Sequence, residues 1–167
     1  MAPQPSGALA RTPSGLDLIL VREFASPPAQ VWATLTESAR TVKWFGSWTG
    51  TPGTGGVVRV RMVHEEGEHE TTARIDACEP PKHLAVTTGE EAGGWRLEMF
   101  LVDSGDGGTI LRFVHHLPAD APVADTGVGW DFYLDNFAAA HEDRPLVMWD
   151  DYYPALLPYY EALAEQA

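Results

Sequence analysis

The chain has 167 residues, 44% of them hydrophobic and 21% charged, with 11 basic against 24 acidic residues for a formal charge of −13. That length suits one domain with a real core, and the acidity opposes nucleic acid and anionic membrane surfaces, since no basic cluster relieves it. The single cysteine, Cys78, excludes an internal disulfide and fits a reducing, cytoplasmic setting, and no apolar run approaches the roughly 20 residues that span a bilayer.

Residues 1–15, rich in Pro, Ser, Gly and Ala, lack the apolar region of a signal peptide and read as a flexible leader. Leu16 to Phe24 is a strand. Ser26-Pro27-Pro28 ends it and suits the first turn of a helix. Ala29 to Glu37 is then a short helix whose Val31, Trp32 and Leu35 share a face. A second short helix is expected from Ala39 to Phe45, before Gly46, and the glycines of 50–56 form a turn-rich link.

The period then changes to two. Val58, Val60, Met62 and His64 lie on one side of a strand, opposite Arg59 and Arg61. Glu65-Glu66-Gly67-Glu68 is a hairpin tip. Thr71, Ala73, Ile75 and Ala77 alternate with Thr72, Arg74 and Asp76 until Pro80-Pro81, and His83 to Thr88 forms another strand. Trp95, Leu97, Met99 and Leu101 face away from Arg96 and Glu98. After the turn Asp103 to Gly108, residues Thr109, Leu111, Phe113, His115 and Leu117 share a face.

Pro118 to Thr126 reads as a loop. Gly127 to His141 is a helix with Trp130, Leu134, Phe137, Ala138 and His141 on one stripe. The tail, 143–167, holds Trp149, Tyr152, Tyr153, Tyr159 and Tyr160; Pro154 and Pro158 break it into short helical turns packed on the domain. Tight hairpins leave no room for crossover helices, so the strands form an antiparallel meander. The fold class is α+β: a curved sheet gripping one long C-terminal helix, with a cavity between them.

Particular segments carry a resemblance. Ser26-Pro27-Pro28-Ala29-Gln30-Val31-Trp32 is followed by Val42-Lys43-Trp44-Phe45-Gly46, then Gly55-Gly56, Glu79-Pro80-Pro81-Lys82-His83-Leu84, Gly108-Thr109 and the Gly129-Trp130 helix start. Over Leu16 to His141 this resembles the SRPBCC superfamily, also called START-like or helix-grip proteins. Within it, the chain is similar to the bacterial single-domain branch related to the C-terminal domain of the activator of the Hsp-ninety ATPase. The resemblance implies a helix-grip domain over 16–142, with about six or seven strands around the C-terminal helix and a cavity within. It also suggests a link to stress response.

The expected cavity lining is Val60, Met62, His64, Trp95, Leu97, Met99, Phe113 and His115 from the strands, with Trp44, Phe45, Trp48, Trp130, Leu134 and Phe137 from the helices. The alternative is that these side chains fill one another. His64 and His115 are the polar features of that face, serving either as ligand-orienting or acid–base groups or as hydrogen-bonded core histidines. His64, His69, His115 and His116 match no zinc spacing. The acidic run 65–70 lacks the order of a calcium loop, and no phosphate loop or nucleophile elbow occurs. No metal, cofactor or catalytic residue is therefore assigned.

The leading functional expectation is binding of a hydrophobic or amphipathic small molecule, lipid or polyketide-like, gated by the 118–126 loop and the short helix near Trp44 to Trp48. The second is a protein regulator that engages a basic or chaperone partner. The third is a cyclase- or dehydratase-like enzyme with His64 or His115 carrying a proton. A monomer, or a homodimer through strand edges or the tyrosine-rich tail, fits the sequence equally.

Overall fold

Period-two patterning and Gly/Pro turns produce one antiparallel sheet in the computed structural model, which describes residues 2–64, 69–89 and 94–167. The expected hairpin tip at 65–68 lies outside the described residues. The strands are β1 (Ala8–Thr12), β2 (Gly15–Phe24), β3 (Gly46–Gly50), β4 (Val57–Met62), β5 (Glu70–Glu79), β6 (His83–Thr88), β7 (Trp95–Asp103) and β8 (Thr109–Leu117). Their spatial order is β1-β2-β8-β7-β6-β5-β4-β3. The helices are α1 (Pro28–Thr36), α2 (Ser38–Thr41), α3 (Val123–His141), α4 (Trp149–Tyr152) and α5 (Leu157–Glu165). No helix among the described residues is long and apolar enough to cross a membrane.

Register turns the alternating sequence into rows across the face that meets α3. One row runs Val58, Ala73, Thr88, Trp95. The next runs Ile75, Val86, Leu97, His115, Leu18, and a third Cys78, Leu84, Met99, Phe113, Leu20. A fourth pairs Leu101 with Leu111 and Leu111 with Arg22. The apolar members of these rows form the core against Trp130, Leu134 and Phe137 of α3.

The helix-grip architecture is as expected, with more strands than expected. Residues 8–12, read as part of a flexible leader, form β1 and pair with Gly15 to Ile19. Gly46 to Gly50, read as the end of a short helix and a link, form β3 against β4. Gly46 permits this pairing, because a Cβ there would meet the Arg61 carbonyl oxygen at 2.3 Å. The second helix is accordingly short: α2 ends at Thr41, and a turn carries the chain to Phe45. The loop after β8 is shorter too, since α3 begins at Val123. A bulge between Ile75 and Ala77 shifts the phase of β5, so Cys78, not Ala77, joins the inward row.

Helix α3 is covered on both sides. One side meets the sheet, and the other is covered by residues 6–7 and by α4 and α5, which bury Tyr152 and Tyr160. This explains why Asp131, off the aromatic stripe, is nonetheless 0% exposed. Arg22 donates to Asp131 at 2.9 Å and to Asp135 at 3.0 Å. Ser6 Oγ donates to Asp131 at 2.5 Å, the Tyr160 hydroxyl donates to the same carboxylate, and the Tyr152 hydroxyl donates to Asp135 at 2.5 Å. A buried charge persists only when paired and hydrogen-bonded, and this cluster ties both chain termini to the helix.

Candidate functional site

The walls of the site begin with the end of α1. The last carbonyls of a helix have no partner within it. Here Trp44 Nε1 donates to the Thr34 carbonyl at 3.0 Å, and Trp48 Nε1 donates to the Thr36 carbonyl at 2.8 Å. Ser38 Oγ accepts from the Trp48 backbone N–H at 2.9 Å, and Thr41 Oγ1 donates to the Gly46 carbonyl at 2.7 Å. These bonds tie both indoles, Trp44 from the turn after α2 and Trp48 from β3, to the end of α1, where they form one wall of the site.

Between that wall, the sheet and α3 lies a cavity of about 140 Å³. Trp44, Phe45, Trp48, Val60, Leu97, Met99, Phe113, Trp130 and Leu134 line it, all of them expected from the sequence. Leu35, Thr41, Gly46, Thr71, Ala73, Leu84, Val86, Thr88 and Leu111 line it as well. The signal for several of these was present. Thr71 and Ala73 share the phase of Ile75, and Leu84, Val86 and Thr88 alternate along β6, but none is aromatic.

Five expected residues lie off the lining, for separate reasons. His64 lies two residues past the end of β4 and is exposed, its ring edge-on to Phe132 at 5.6 Å. Met62 closes β4 half-buried, opposite Gly46. Trp95, in the end row, is 50% exposed and packs on His115 and Trp130. Phe137 is 0% exposed and fills the far half of the grip, edge-on to Phe24 and Trp44.

His115 stands behind the lining. It is 1% exposed, and its Nδ1 accepts the Trp130 indole N–H at 3.0 Å. That bond requires the neutral ring with its proton on Nε2. Burial, with a smaller contribution from the neighbouring His116, lowers its pKa to about 4. Neither expected proton carrier therefore touches the cavity. His115 instead fixes the ring that forms the cavity roof.

The remaining histidines serve elsewhere. On the outer face of the sheet, His116 bridges Asp17 and Glu98 at 2.7 Å each, and His83 meets the other Glu98 oxygen at 2.7 Å. Burial opposes ionisation of Glu98, but the hydrogen bonds from His83 and His116 outweigh it and hold the carboxyl below its ordinary value. Among the described residues, no group of His, Cys, Asp and Glu side chains is arranged to hold a metal ion. A larger hollow of about 620 Å³ lies between Pro28 and Pro81. It is a surface groove bearing Glu79, Lys82 and Asp103, and it encloses nothing.

A family model described as Activator of Hsp90 ATPase homolog 1-like protein matches residues 25–142. No curated protein matches the chain in sequence. Similar solved structures include CalU16 from Micromonospora echinospora, 23% identical with a TM-score of 0.74, covering 99% of each chain. EF2215 from Enterococcus faecalis, a conserved protein of unknown function, is 17% identical with a TM-score of 0.71, covering 94% of this chain and 91% of its own. DynU16, a protein of the dynemicin biosynthetic locus, is 22% identical with a TM-score of 0.66, covering 75% of this chain and 47% of its own. At these identities the likeness is one of fold.

Proposed function

The chain belongs to the Activator of Hsp90 ATPase homolog 1-like family, and from that premise we propose that it binds a hydrophobic or amphipathic small molecule between its sheet and α3, in the cytoplasm. The observation that carries this reading is the cavity of about 140 Å³ walled by Trp44, Trp48, Trp130 and aliphatic side chains. A well-packed core leaves few voids larger than a water molecule. An apolar void in that position stabilises the protein less than a filled one would. A ligand recovers the difference through apolar burial at about 25 cal/mol per Å², less the cost of association. The likeness in fold to a protein of the dynemicin biosynthetic locus supports a small-molecule role.

Native mass spectrometry of freshly purified protein, followed by calorimetric titration of apolar compounds, tests this. Adducts lost on denaturation, and saturable binding at one site, are the expected results. Binding that persists unchanged when the cavity is filled by substitution would overturn it.

A second reading, docking to a protein partner, draws on a different observation. Met148 is 66%, Trp149 41% and Tyr153 40% exposed, with the Trp149 and Tyr153 rings stacked at 5.5 Å. Exposed aromatic clusters suit protein interfaces. Retention of a partner's ATPase stimulation by Trp149→Ala would count against it.

A further inference from the structure

Away from the cavity, His141 at the C-terminus of α3 meets two hydroxyls. Its Nε2 lies 2.9 Å from Ser26 Oγ, in the link between β2 and α1, and its Nδ1 lies 2.8 Å from Thr34 Oγ1 on α1. Phe24 meets the imidazole edge-on at 5.2 Å, and Phe137 lies parallel to it at 6.4 Å. Burial holds the ring below the ordinary histidine pKa, while Glu142 and Arg40 pull in opposite directions. At pH 7 the ring is therefore a neutral base, with one nitrogen donating and the other accepting.

Thr34 decides which nitrogen is which. Its side chain is buried, and its hydroxyl donates to the Gln30 carbonyl one turn earlier at 3.5 Å. The Thr34 oxygen is left to accept from His141, so the ring proton sits on Nδ1 and the free lone pair of Nε2 faces the Ser26 hydroxyl. A hydroxyl bonded to a base that a third group orients is the arrangement of an activated nucleophile. Ser26 is itself held in place, because its carbonyl accepts from Thr109 Oγ1 at 2.7 Å. It is half-buried, not sealed, and it directly precedes Pro27, the N-cap of α1, whose dipole favours negative charge nearby.

A substrate has room beside this pair. The surface groove of about 620 Å³ reaches Pro28, two residues beyond Ser26, and Asp103, the register partner of Thr109. Pro81, Phe100 and Val102 give it an apolar floor. We propose that Ser26 and His141 form a nucleophile–base pair, positioned by Thr34, that cleaves small carboxylic esters lying in this groove. As Ser26 Oγ bonds to the ester carbonyl carbon, its proton passes to His141 Nε2. The bond from that carbon to the alcohol oxygen then breaks, and the alcohol leaves with the proton. Water next attacks the acyl group and gives a proton to Nε2, which returns it to Ser26 Oγ as the carboxylic acid departs. Thr34 stands where a triad has a carboxylate, so the imidazolium is less stabilised and turnover is slow.

The test uses the full chain with two probes. Diisopropyl fluorophosphate phosphorylates an activated serine with loss of fluoride, read by intact mass and peptide mapping, and p-nitrophenyl acetate reports turnover by nitrophenolate release. One adduct on Ser26 is expected, with release roughly tenfold or more faster than in Ser26→Ala. His141→Gln should fall to the same background, since the pair acts as a unit. Thr34→Val should lower kcat with KM unchanged, as a positioning role requires. Melting curves establish that each variant is folded. No adduct on Ser26, release unchanged in folded Ser26→Ala, or release unchanged in folded His141→Gln would each overturn the proposal. None of these residues lines the cavity, so ligand binding between sheet and α3 stands or falls separately.

Discussion

The indole N–H of Trp130 on α3 donates to Nδ1 of His115 on β8 over 3.0 Å, and both residues are buried. This joins the cavity roof to a titratable group that must stay neutral for the bond to exist. The folded-state pKa of about 4 lies below the ordinary 6.5, chiefly through burial. The unfolded chain therefore binds the proton first as pH falls. The His115 contribution is complete above about pH 6.5 and is lost progressively down to about pH 4, to the extent of ~3 kcal/mol. Urea unfolding at pH 7.5 and pH 5 should show a larger loss in the unaltered protein than in His115→Gln. Equal losses would contradict the assignment.

The carboxylate of Asp131 gathers Arg22, Ser6 and Tyr160 with no exposure of its own. Asp131→Asn leaves Arg22 with Asp135 as its one carboxylate partner among the described residues and is expected to cost about 3 kcal/mol. Tyr160→Phe removes one hydroxyl bond to a charge and should cost about 2 kcal/mol. Chemical denaturation gives both values. Hydrogen exchange should show faster opening of β1 and α5 in each variant, because residues 6–7 and Tyr160 meet at this point.

Gly127 occupies the second turn of α3, where alanine would ordinarily be better by about 1 kcal/mol. A Cβ there would lie 2.3 Å from two atoms of the Tyr160 ring. Gly127→Ala should therefore destabilise by about 1–3 kcal/mol through overpacking. In a Tyr160→Leu background, the same substitution should become neutral or favourable. A thermal-melt double-mutant cycle reads the coupling, and additive effects would place the Tyr160 ring elsewhere.

Ala73 lies in the cavity floor at 4% exposure, beside Thr88. Ala73→Leu extends into existing space, so stability should hold or rise by about 1 kcal/mol, while apolar ligand binding falls by at least tenfold. Paired melting and titration experiments check this. A stable variant that binds as before would move the ligand out of the grip.

Much of the architecture was readable because it rests on local periodicity. The phases Leu97-Met99 and Phe113-His115 translate directly into inward rows, and the Trp130-Leu134-Phe137 stripe into the gripped helix. Arg22 was readable too in principle. It follows Leu16, Leu18 and Leu20 in the same phase, and a charge in an apolar phase signals a buried partner. By contrast, β1 and β3 carry little alternation and exist because a neighbouring strand offers an edge to pair with.

The sequence by itself determined the class of fold, the aromatic character of the cavity wall and the acidic charge, because these follow from composition and from repeats within single elements. Only the tertiary structure decided which aromatics leave space and which fill it. Trp44 and Phe137 are equally apolar, yet one faces the hollow while the other is packed solid against Phe24. It also decided that His115 is a neutral prop, not a reactive group. Those outcomes depend on register across non-adjacent strands and on how closely α3 approaches the sheet, distances that no local pattern encodes.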